Sequence, residues 1–67
     1  MNAPDDDHAL DRHLGNAIRD QRLRNHLTIA DVAALAGISR GMLSKIENGQ
    51  TSTSLDALRR IARGDRV

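Results

Sequence analysis

Cysteine and long apolar runs are both missing from this 67-residue sequence. Without cysteine, neither disulfide bonds nor cysteine-ligated zinc can stabilise the fold. The longest apolar stretch without a charge, VAALAGIS, is far shorter than the ~20 residues that span a bilayer. The acidic start MNAPDDD is unlike a secretory signal. We therefore expect one soluble, cytosolic domain.

Lysine and arginine are missing from the first eleven positions. That segment carries Asp5, Asp6, Asp7 and Asp11, a net charge of −4, whereas residues 12–67 hold all ten Lys and Arg against five acids, a net charge of +5. A basic domain favours a polyanionic partner, although a solvated mixed-charge surface has the same composition. Because no Phe, Tyr or Trp is present to stack on unpaired bases, a nucleic-acid partner would be duplex DNA.

Apolar residues recur at helical spacing in four segments, and no segment alternates as a strand does, so the predicted fold is all-α. Helix one is predicted over about 7–25, helix two over 29–35, helix three over 40–47, and helix four from Thr53 or Ser54 to Gly64. The predicted buried residues outside helices two and three are Leu10, Leu14, Ala17, Ile18, Leu55, Leu58, Ile61 and Ala62. We expect residues 1–8 to form a flexible acidic leader and residues 9–67 to form the domain.

Helices two and three are joined by a very short turn. Thr28 and Asp31 form a short-armed capping box, Gly37 is suited to the left-handed turn, and Ser39 is a good N-cap for helix three. Ala33 supplies the small residue needed where two helices cross closely. The apolar residues that fill the wedge between them are Val32, Ala36, Ile38, Leu43 and Ile46. This pattern predicts a helix-turn-helix motif over residues 28–48.

The stretch LGNAIRDQRLRNHLTIADVAALAGISRGMLSKIENGQTSTSLDALRRIA resembles the DNA-binding domain of the lambda-repressor/Cro-like (XRE) family of bacterial and phage transcription factors. The residues that carry the resemblance are Leu14-Gly15, Ile18-Arg19, Arg22, Leu27-Thr28, Val32-Ala33, Ala36-Gly37, Ser39, Leu43-Ser44, Ile46-Glu47-Asn48-Gly49 and Ser54-Leu55. The resemblance implies a lambda repressor-like fold and a sequence-specific, repressor-like regulator of transcription in the bacterial or phage-infected cytoplasm.

Two features depart from that family pattern. Thr53 stands where many relatives have proline, and relatives usually continue into a fifth helix beyond the position of Val67. We therefore expect the fifth helix to be missing, and the chain to be an excised domain or the N-terminal piece of a larger regulator with a C-terminal effector domain. Family members bind palindromic operators as homodimers, so a homodimer is expected here.

In such motifs the second helix, here residues 39–47, enters the major groove. The candidate base-reading residues are Arg40, Gly41, Met42, Ser44 and Lys45. The candidate phosphate-contacting residues are Thr28, Ser39, Asn48, Gln50, Thr51 and Ser52. An ordinary turn explains residues 48 and 50–52 equally well, and Ser44 and Lys45 suit either bases or phosphates.

Three of the base-reading candidates have specific alternatives. Arg40 has the geometry to donate two hydrogen bonds to guanine, or to contact a phosphate instead. A glycine at position 41 lets the backbone approach the base pairs, unless the position is merely a tolerant solvent-facing site. Met42 suits a thymine methyl group or the edge of the core.

Two charges fall on faces that are otherwise apolar: Arg22 on helix one and Glu47 on helix three. Because an unpaired buried charge is strongly disfavoured, we predict a structural ion pair between them that orients helix three. Relatives carry Arg and Glu at these matching places. The alternative is that Arg22 emerges to bind a phosphate.

No catalytic apparatus or cofactor site is predicted. His8, His13 and His26 are not spaced to stack on one helix face, so surface histidines are expected rather than a metal site. No nucleophile–base pair or phosphate-cradling glycine loop is present in the sequence. The alternative to a transcriptional regulator is an antitoxin or adaptor module whose main partner is a protein.

Overall fold

Four helices form the fold of this computed structural model, which describes the backbone of residues 5–64 and the side chains of residues 9–64. They are α1 (Asp5–Arg24), α2 (Ile29–Ala36), α3 (Arg40–Glu47) and α4 (Leu55–Gly64), and residues 5–64 include no strand. The all-α prediction is confirmed. Helix α1 begins at Asp5, two residues earlier than the apolar pattern predicts. The proposed leader lies partly outside the described residues, so its boundary stays a prediction.

The predicted caps set the bounds of α2 and α3. The Thr28 hydroxyl accepts a hydrogen bond from the Asp31 amide at 3.0 Å, and the Asp31 carboxylate accepts one from the Thr28 amide at 2.9 Å. Ser39 caps α3 by accepting from the Met42 amide at 3.0 Å. Gly37 ends α2 in the left-handed conformation, with φ of 74°, which glycine adopts without steric cost.

Helix α4 is capped by Ser54, whose hydroxyl accepts from the Ala57 amide at 3.1 Å. This resolves the choice between Thr53 and Ser54. Helix α4 also supports the end of α2, because the Arg60 guanidinium donates to the Ala36 carbonyl at 3.4 Å and forms an ion pair with Asp56. That contact fixes the end of α2 beside the turn of the motif.

The core lies where α2 meets α3 and α4, and where α1 covers α3. Its buried apolar residues are Ile18, Val32, Ala33, Ala36, Leu43, Ile46 and Ile61. Leu14, Leu27, Ile29, Ile38 and Leu58 pack around it, partly buried.

Four residues predicted to be buried are exposed: Leu10, Ala17, Leu55 and Ala62. Leu10 is 70% exposed because α1 has 20 residues and its partner α3 only 8, so the early turns of α1 extend past the helix they would pack on. Leu55 is 79% exposed because it is the first residue of α4, before that helix meets α2. Ala17 and Ala62 lie at the margins of the buried stripes.

Helices α1 and α3 come into backbone contact at Gly15. A Cβ atom at this position would lie 2.7 Å from the Glu47 carbonyl oxygen, which is closer than van der Waals contact permits. Only glycine therefore allows α1 to lie directly against the C-terminal turn of α3. This contact and the core hold α3 with its opposite face toward solvent.

Candidate nucleic-acid interface

The outward face of α3 carries the residues predicted to read bases. Leu43, Ile46 and Glu47 are buried, whereas Arg40, Gly41 and Lys45 are exposed. At about 100° per residue, Gly41 and Lys45 project directly opposite the buried face. Arg40 lies on nearly the same side of the helix as Glu47, seven residues later, but it is exposed because it is the first residue of α3. Arg40 therefore reaches solvent at the start of α3, beside the face formed by Gly41 and Lys45.

Gly41 lies in open space. A Cβ atom added there would meet nothing within 4 Å, so no packing contact within the described chain requires glycine. Met42 is 44% exposed at one edge of this face, and Ser44 is partly buried near its C-terminal end.

The buried ion pair predicted between Arg22 and Glu47 is present. The Arg22 Nε donates to Glu47 Oε2 at 2.8 Å and its Nη2 donates to Oε1 at 3.0 Å. The same guanidinium donates through Nη1 to the Leu27 carbonyl at 2.9 Å. Arg22 thus joins α1, the α1–α2 connection and α3 at one point, and both side chains are more than nine-tenths buried.

The first turn of α2 contains an acidic residue, Asp31, whereas the first turn of α3 contains none. Two hydrogen bonds with Thr28 lower the pKa of the Asp31 carboxyl. The bond from the backbone amide has the larger effect and the bond with the hydroxyl has the smaller one. The resulting carboxylate occupies the positive end of the helix, where an incoming phosphate would otherwise be favoured. The first turn of α3 has no acidic residue, so Ser39 offers a more favourable position for an anion than Thr28 does.

The segment after α3 turns sharply back toward α1. Gly49 is left-handed, with φ of 70°, and the Gln50 amide donates to the Lys45 carbonyl at 2.8 Å. The Asn48 side chain donates to the Ser44 carbonyl at 2.9 Å, and the Ser52 hydroxyl reaches the Asp11 carboxylate at 3.5 Å.

The structure thus brings most of the candidate residues to two adjoining places, the outer face of α3 and the turn at its C-terminal end. Thr28 lies at a third place, the start of α2. The structure also places Arg19, which the sequence analysis did not name as a candidate site residue, in the lining of a cleft with Ser44 and Asn48.

Side-chain geometry at residues 9–64 offers no group of three or more His, Asp or Glu residues placed to hold a metal ion. No helix in the described range is long and apolar enough to cross a membrane.

A helix that caps at Ser39, exposes a basic face and follows its neighbour through a left-handed glycine defines a helix-turn-helix domain. The helix-turn-helix family model matches residues 18–67, which is most of the chain. The chain therefore belongs to this family, in its XRE type, and its fold is lambda repressor-like.

One relative is the "ImmF control region 10 kDa protein" of Bacillus phage phi105. It is 43% identical over 51 residues, which are 76% of this chain and 57% of that protein. The chain thus spans little more than half the length of this relative. No solved structure matches the chain significantly. The family and the phage relative together support a DNA-binding regulator of transcription.

Proposed function

We propose that this chain is a sequence-specific, repressor-like regulator that binds duplex DNA with α3 in the major groove. The observation that carries the proposal is the outer face of α3, where Arg40 and Lys45 are exposed around the unobstructed Gly41. A major groove about 12 Å wide admits one α-helix, and residues near the start of that helix reach the base edges.

Each side chain on this face has a chemical role in the proposal. Arg40 donates two hydrogen bonds to guanine, which distinguishes this base from the others. Lys45 and Ser44 contact base edges or phosphates farther along the groove, and Met42 meets a thymine methyl group. Ser39, Asn48 and Gln50 donate to phosphates on either side and fix the register of the helix.

A homodimer on a palindromic operator is part of this proposal. Helix α3 has only eight residues, so one subunit reads few base pairs, and a second half-site about one helical turn away multiplies the specificity. Sedimentation of the protein on duplexes with one and two half-sites tests this part. Two protein chains per two-site duplex are expected, and strictly independent binding to each half-site would contradict it.

The experiment that tests DNA binding selects duplexes from a random pool and then titrates salt on the best sequence. We expect log K to fall linearly with log salt, by about 0.9 for each phosphate contacted. A scrambled duplex of the same length and composition is the control for sequence specificity. Equal affinity for both duplexes would exclude a sequence-specific regulator, and binding unaffected by salt would exclude a phosphate-dependent mode.

The variant Arg40→Ala distinguishes base readout from a phosphate contact. Loss of a guanine contact removes about 1–3 kcal/mol of discrimination at one base pair and leaves the salt slope nearly unchanged. Loss of a phosphate contact weakens binding to all sequences alike and reduces the slope by about 1. Competition assays with single-base-pair variants of the selected duplex measure the difference.

An antitoxin or adaptor module remains the alternative function. Among residues 9–64, the large exposed apolar side chains are Leu10, Leu23, Leu35, Met42 and Leu55. They are spread over all four helices, so they do not favour a protein partner over DNA. Failure to select any duplex from the pool would favour this alternative.

A further inference from the structure

Helix α1 packs on the rest of the described chain with one of its sides. The residues that it turns toward α3 and the core are Leu14, Gly15, Ile18 and Arg22. The residues that project on the opposite side, at about 100° per residue, are Ala9, His13, Asn16 and Asp20. Of these, His13, Asn16 and Asp20 are exposed. We call the four residues the free face of α1.

Two shallow hollows run along the free face. The larger, of about 480 Å³, is lined by residues between His13 and Leu23, and the smaller, of about 220 Å³, by residues between Ala9 and Asn16. Because both include His13 and Asn16, they form one groove of about 21 Å along α1. The short side chain of Ala17 lies within it. A helix packs on another helix by placing its side chains in grooves of this kind.

The polar side chains of the free face are unpaired or loosely held within residues 9–64. His13 and Asn16 form no side-chain hydrogen bond or ion pair there. Asp20 lies 3.9 Å from Arg24 in an ion pair whose side chains are both about three-quarters exposed, and such pairs are weak. The free face therefore presents a histidine, an amide and a carboxylate that another molecule can bind.

We infer that the free face is a self-association surface, on which α1 of a second copy packs in the antiparallel direction. With the two-fold axis between Asn16 and Ala17, His13 of one copy lies level with Asp20 of the other, because the two residues are equally distant from the axis. The symmetry repeats this pair on the other side of the axis. The imidazole donates a hydrogen bond to the carboxylate in both pairs, and the short side chains at the axis let the helices approach.

The distribution of charge along α1 favours a second copy and the antiparallel direction. Residues 5–14 carry four aspartates and one arginine, a net charge of −3 with histidine neutral. Residues 15–24 carry three arginines and one aspartate, and a net charge of +1 remains when the buried Arg22, which is paired with Glu47, is left out. Antiparallel packing therefore places the acidic half of each helix beside the basic half of the other, with the helix dipoles opposed.

The free face lies on the far side of α1 from α3. A second copy bound there leaves the outer face of α3 uncovered, so self-association and DNA binding use separate surfaces. Arg12 and Arg19 lie about a quarter of a turn from the centre of the free face and are exposed at its margin. A contact along one groove is at the low end of interface sizes, so we expect weak association. The inference goes beyond the proposed function, because it requires no DNA.

The test is sedimentation equilibrium of the chain without DNA, at protein concentrations up to about 1 mM because a small interface binds weakly. The unchanged protein is expected to approach the mass of two chains. His13→Glu sets two carboxylates against each other across the axis, and Asp20→Lys sets an ammonium against the imidazole. Each substitution should raise the Kd of the dimer by at least about tenfold, since like charges at an interface are strongly unfavourable.

An equimolar mixture of the His13→Glu and Asp20→Lys proteins makes the test specific. The new carboxylate of one chain then faces the new ammonium of the other, and the original imidazole and carboxylate face each other in the second pair. We therefore expect the mixture to associate at least as tightly as the unchanged protein. Arg63→Gln, an exposed substitution on α4, changes the net charge as much as His13→Glu does and should leave the Kd unchanged. Circular dichroism establishes that each variant is folded.

A single-chain mass for the unchanged protein at every concentration would overturn this inference and leave the proposed function intact. Equal Kd values for His13→Glu and Arg63→Gln would also overturn it, because the dimer would then use another face. Failure of the mixture to recover association would contradict the antiparallel register. Failure to select any duplex, with the dimer and its recovery as expected, would count against the proposed function and support this inference alone.

Discussion

Gly41 lies in the middle of the outer face of α3, inside a helix that it intrinsically weakens. Glycine in a helix interior costs about 1 kcal/mol relative to alanine, and open space around Gly41 means that a larger residue would fit in the free protein. No packing contact within the described residues therefore requires glycine here, which leaves close approach to DNA or a tolerant surface site. Close approach of the α3 backbone to DNA is the explanation that we favour.

Replacing Gly41 by leucine distinguishes close approach of α3 to DNA from a tolerant surface site. We expect the free energy of unfolding to stay the same or rise by up to about 1 kcal/mol, while DNA affinity falls because the side chain holds the helix away from the bases. Urea denaturation and binding to the selected duplex measure the two effects. Gly41→Ala is the graded control, with a smaller loss of affinity. Undiminished binding by Gly41→Leu would show that the position is a tolerant surface site.

His26 is the one non-glycine residue between positions 5 and 64 with a left-handed backbone, with φ of 57°. It follows the end of α1, where its amide donates to the Leu23 carbonyl at 3.0 Å and the Leu27 amide donates to that of Arg22 at 3.1 Å. A β-carbon in this conformation costs roughly 1–2 kcal/mol. The connection between α1 and α2 therefore carries local backbone strain.

The substitution His26→Gly should stabilise the protein by about 0.5–1 kcal/mol, because relief of strain exceeds the added entropy of the unfolded chain. Gly37→Ala is the opposite substitution at a left-handed position with φ of 74°, and should destabilise by more than about 1 kcal/mol. Thermal unfolding followed by circular dichroism measures both, since the chain has no aromatic residue for fluorescence. A lower melting temperature for His26→Gly would contradict the strain argument.

The ion pair of Arg22 with Glu47 joins α1 to α3 in the buried part of the fold. Glu47→Ala leaves a guanidinium buried without its carboxylate, and we expect it to destabilise the fold by about 3–5 kcal/mol. That is a large share of the stability of a domain this small. Urea denaturation monitored by circular dichroism measures the change in the free energy of unfolding.

Two further variants make this test specific. Asp20→Ala removes the exposed ion pair with Arg24 and should change stability by less than about 1 kcal/mol. The double substitution Arg22→Met with Glu47→Leu removes both buried charges and should recover most of the lost stability. A neutral outcome for Glu47→Ala would show that the pair does not stabilise the fold.

The capping box of α2 makes stability depend on pH in the acid range. The folded-state pKa of Asp31 lies below the ordinary value of 3.8, so the unfolded chain takes up a proton first as the pH falls. The contribution of Asp31 is therefore complete above about pH 5 and is lost as the pH falls through its folded-state pKa. NMR titration of the Asp31 carboxyl together with urea midpoints measures this coupling.

Asp31→Asn is the control for this effect, because it keeps an acceptor oxygen for Thr28 and cannot ionise. Its stability should change less between about pH 5 and pH 2 than that of the unchanged protein. Parallel loss of stability in both proteins would assign the acid sensitivity to other carboxyl groups.

Local chemistry explains why the central motif could be predicted from sequence and the extent of the buried stripes on α1 and α4 could not. Thr28, Gly37 and Ser39 each fix a boundary through a bond or a backbone conformation that involves near neighbours in the chain. Leu10 and Leu55 fit the apolar period equally well, but their burial depends on how far the partner helix extends. Periodicity identifies a buried stripe and leaves its length undefined.

The candidate site residues also divide into those whose position depends on local sequence and those whose position depends on tertiary packing. The outward position of Lys45 follows from the period of α3, and the exposure of Arg40 follows from its place at the start of that helix. Two charges on otherwise apolar faces led to the prediction of the pair between Arg22 and Glu47. The contact of Gly15 with Glu47 and the position of Arg19 beside Asn48 depend on how α1 lies across α3. That crossing is a tertiary feature which no local pattern encodes.

Charge is distributed unevenly over the whole chain, and this asymmetry should influence DNA binding. Asp5, Asp6 and Asp7 belong to an acidic segment with a net charge of −4, while the remaining residues carry +5. The acidic segment reduces the attraction of the basic domain for a polyanion at distances up to about the Debye length.

Neutralising the three residues as Asp5→Asn, Asp6→Asn and Asp7→Asn raises the net charge from +1 to +4. We expect tighter DNA binding at low salt, mainly through faster association, and a difference that disappears near 1 M salt, where the Debye length is about 3 Å. Stopped-flow experiments at several salt concentrations measure the association rates of the two proteins. Equal association rates at low salt would mean that the acidic segment has no electrostatic influence.

The contact at Gly15 separates two kinds of surface on α3. Its inner side is fixed against the α1 backbone, so Ile46 and Glu47 tolerate little variation. Arg40, Gly41 and Lys45 have no such constraint, and they can be exchanged as a set without rebuilding the scaffold. If α3 reads bases as proposed, substitutions confined to these three exposed positions should change the DNA preference without changing the fold.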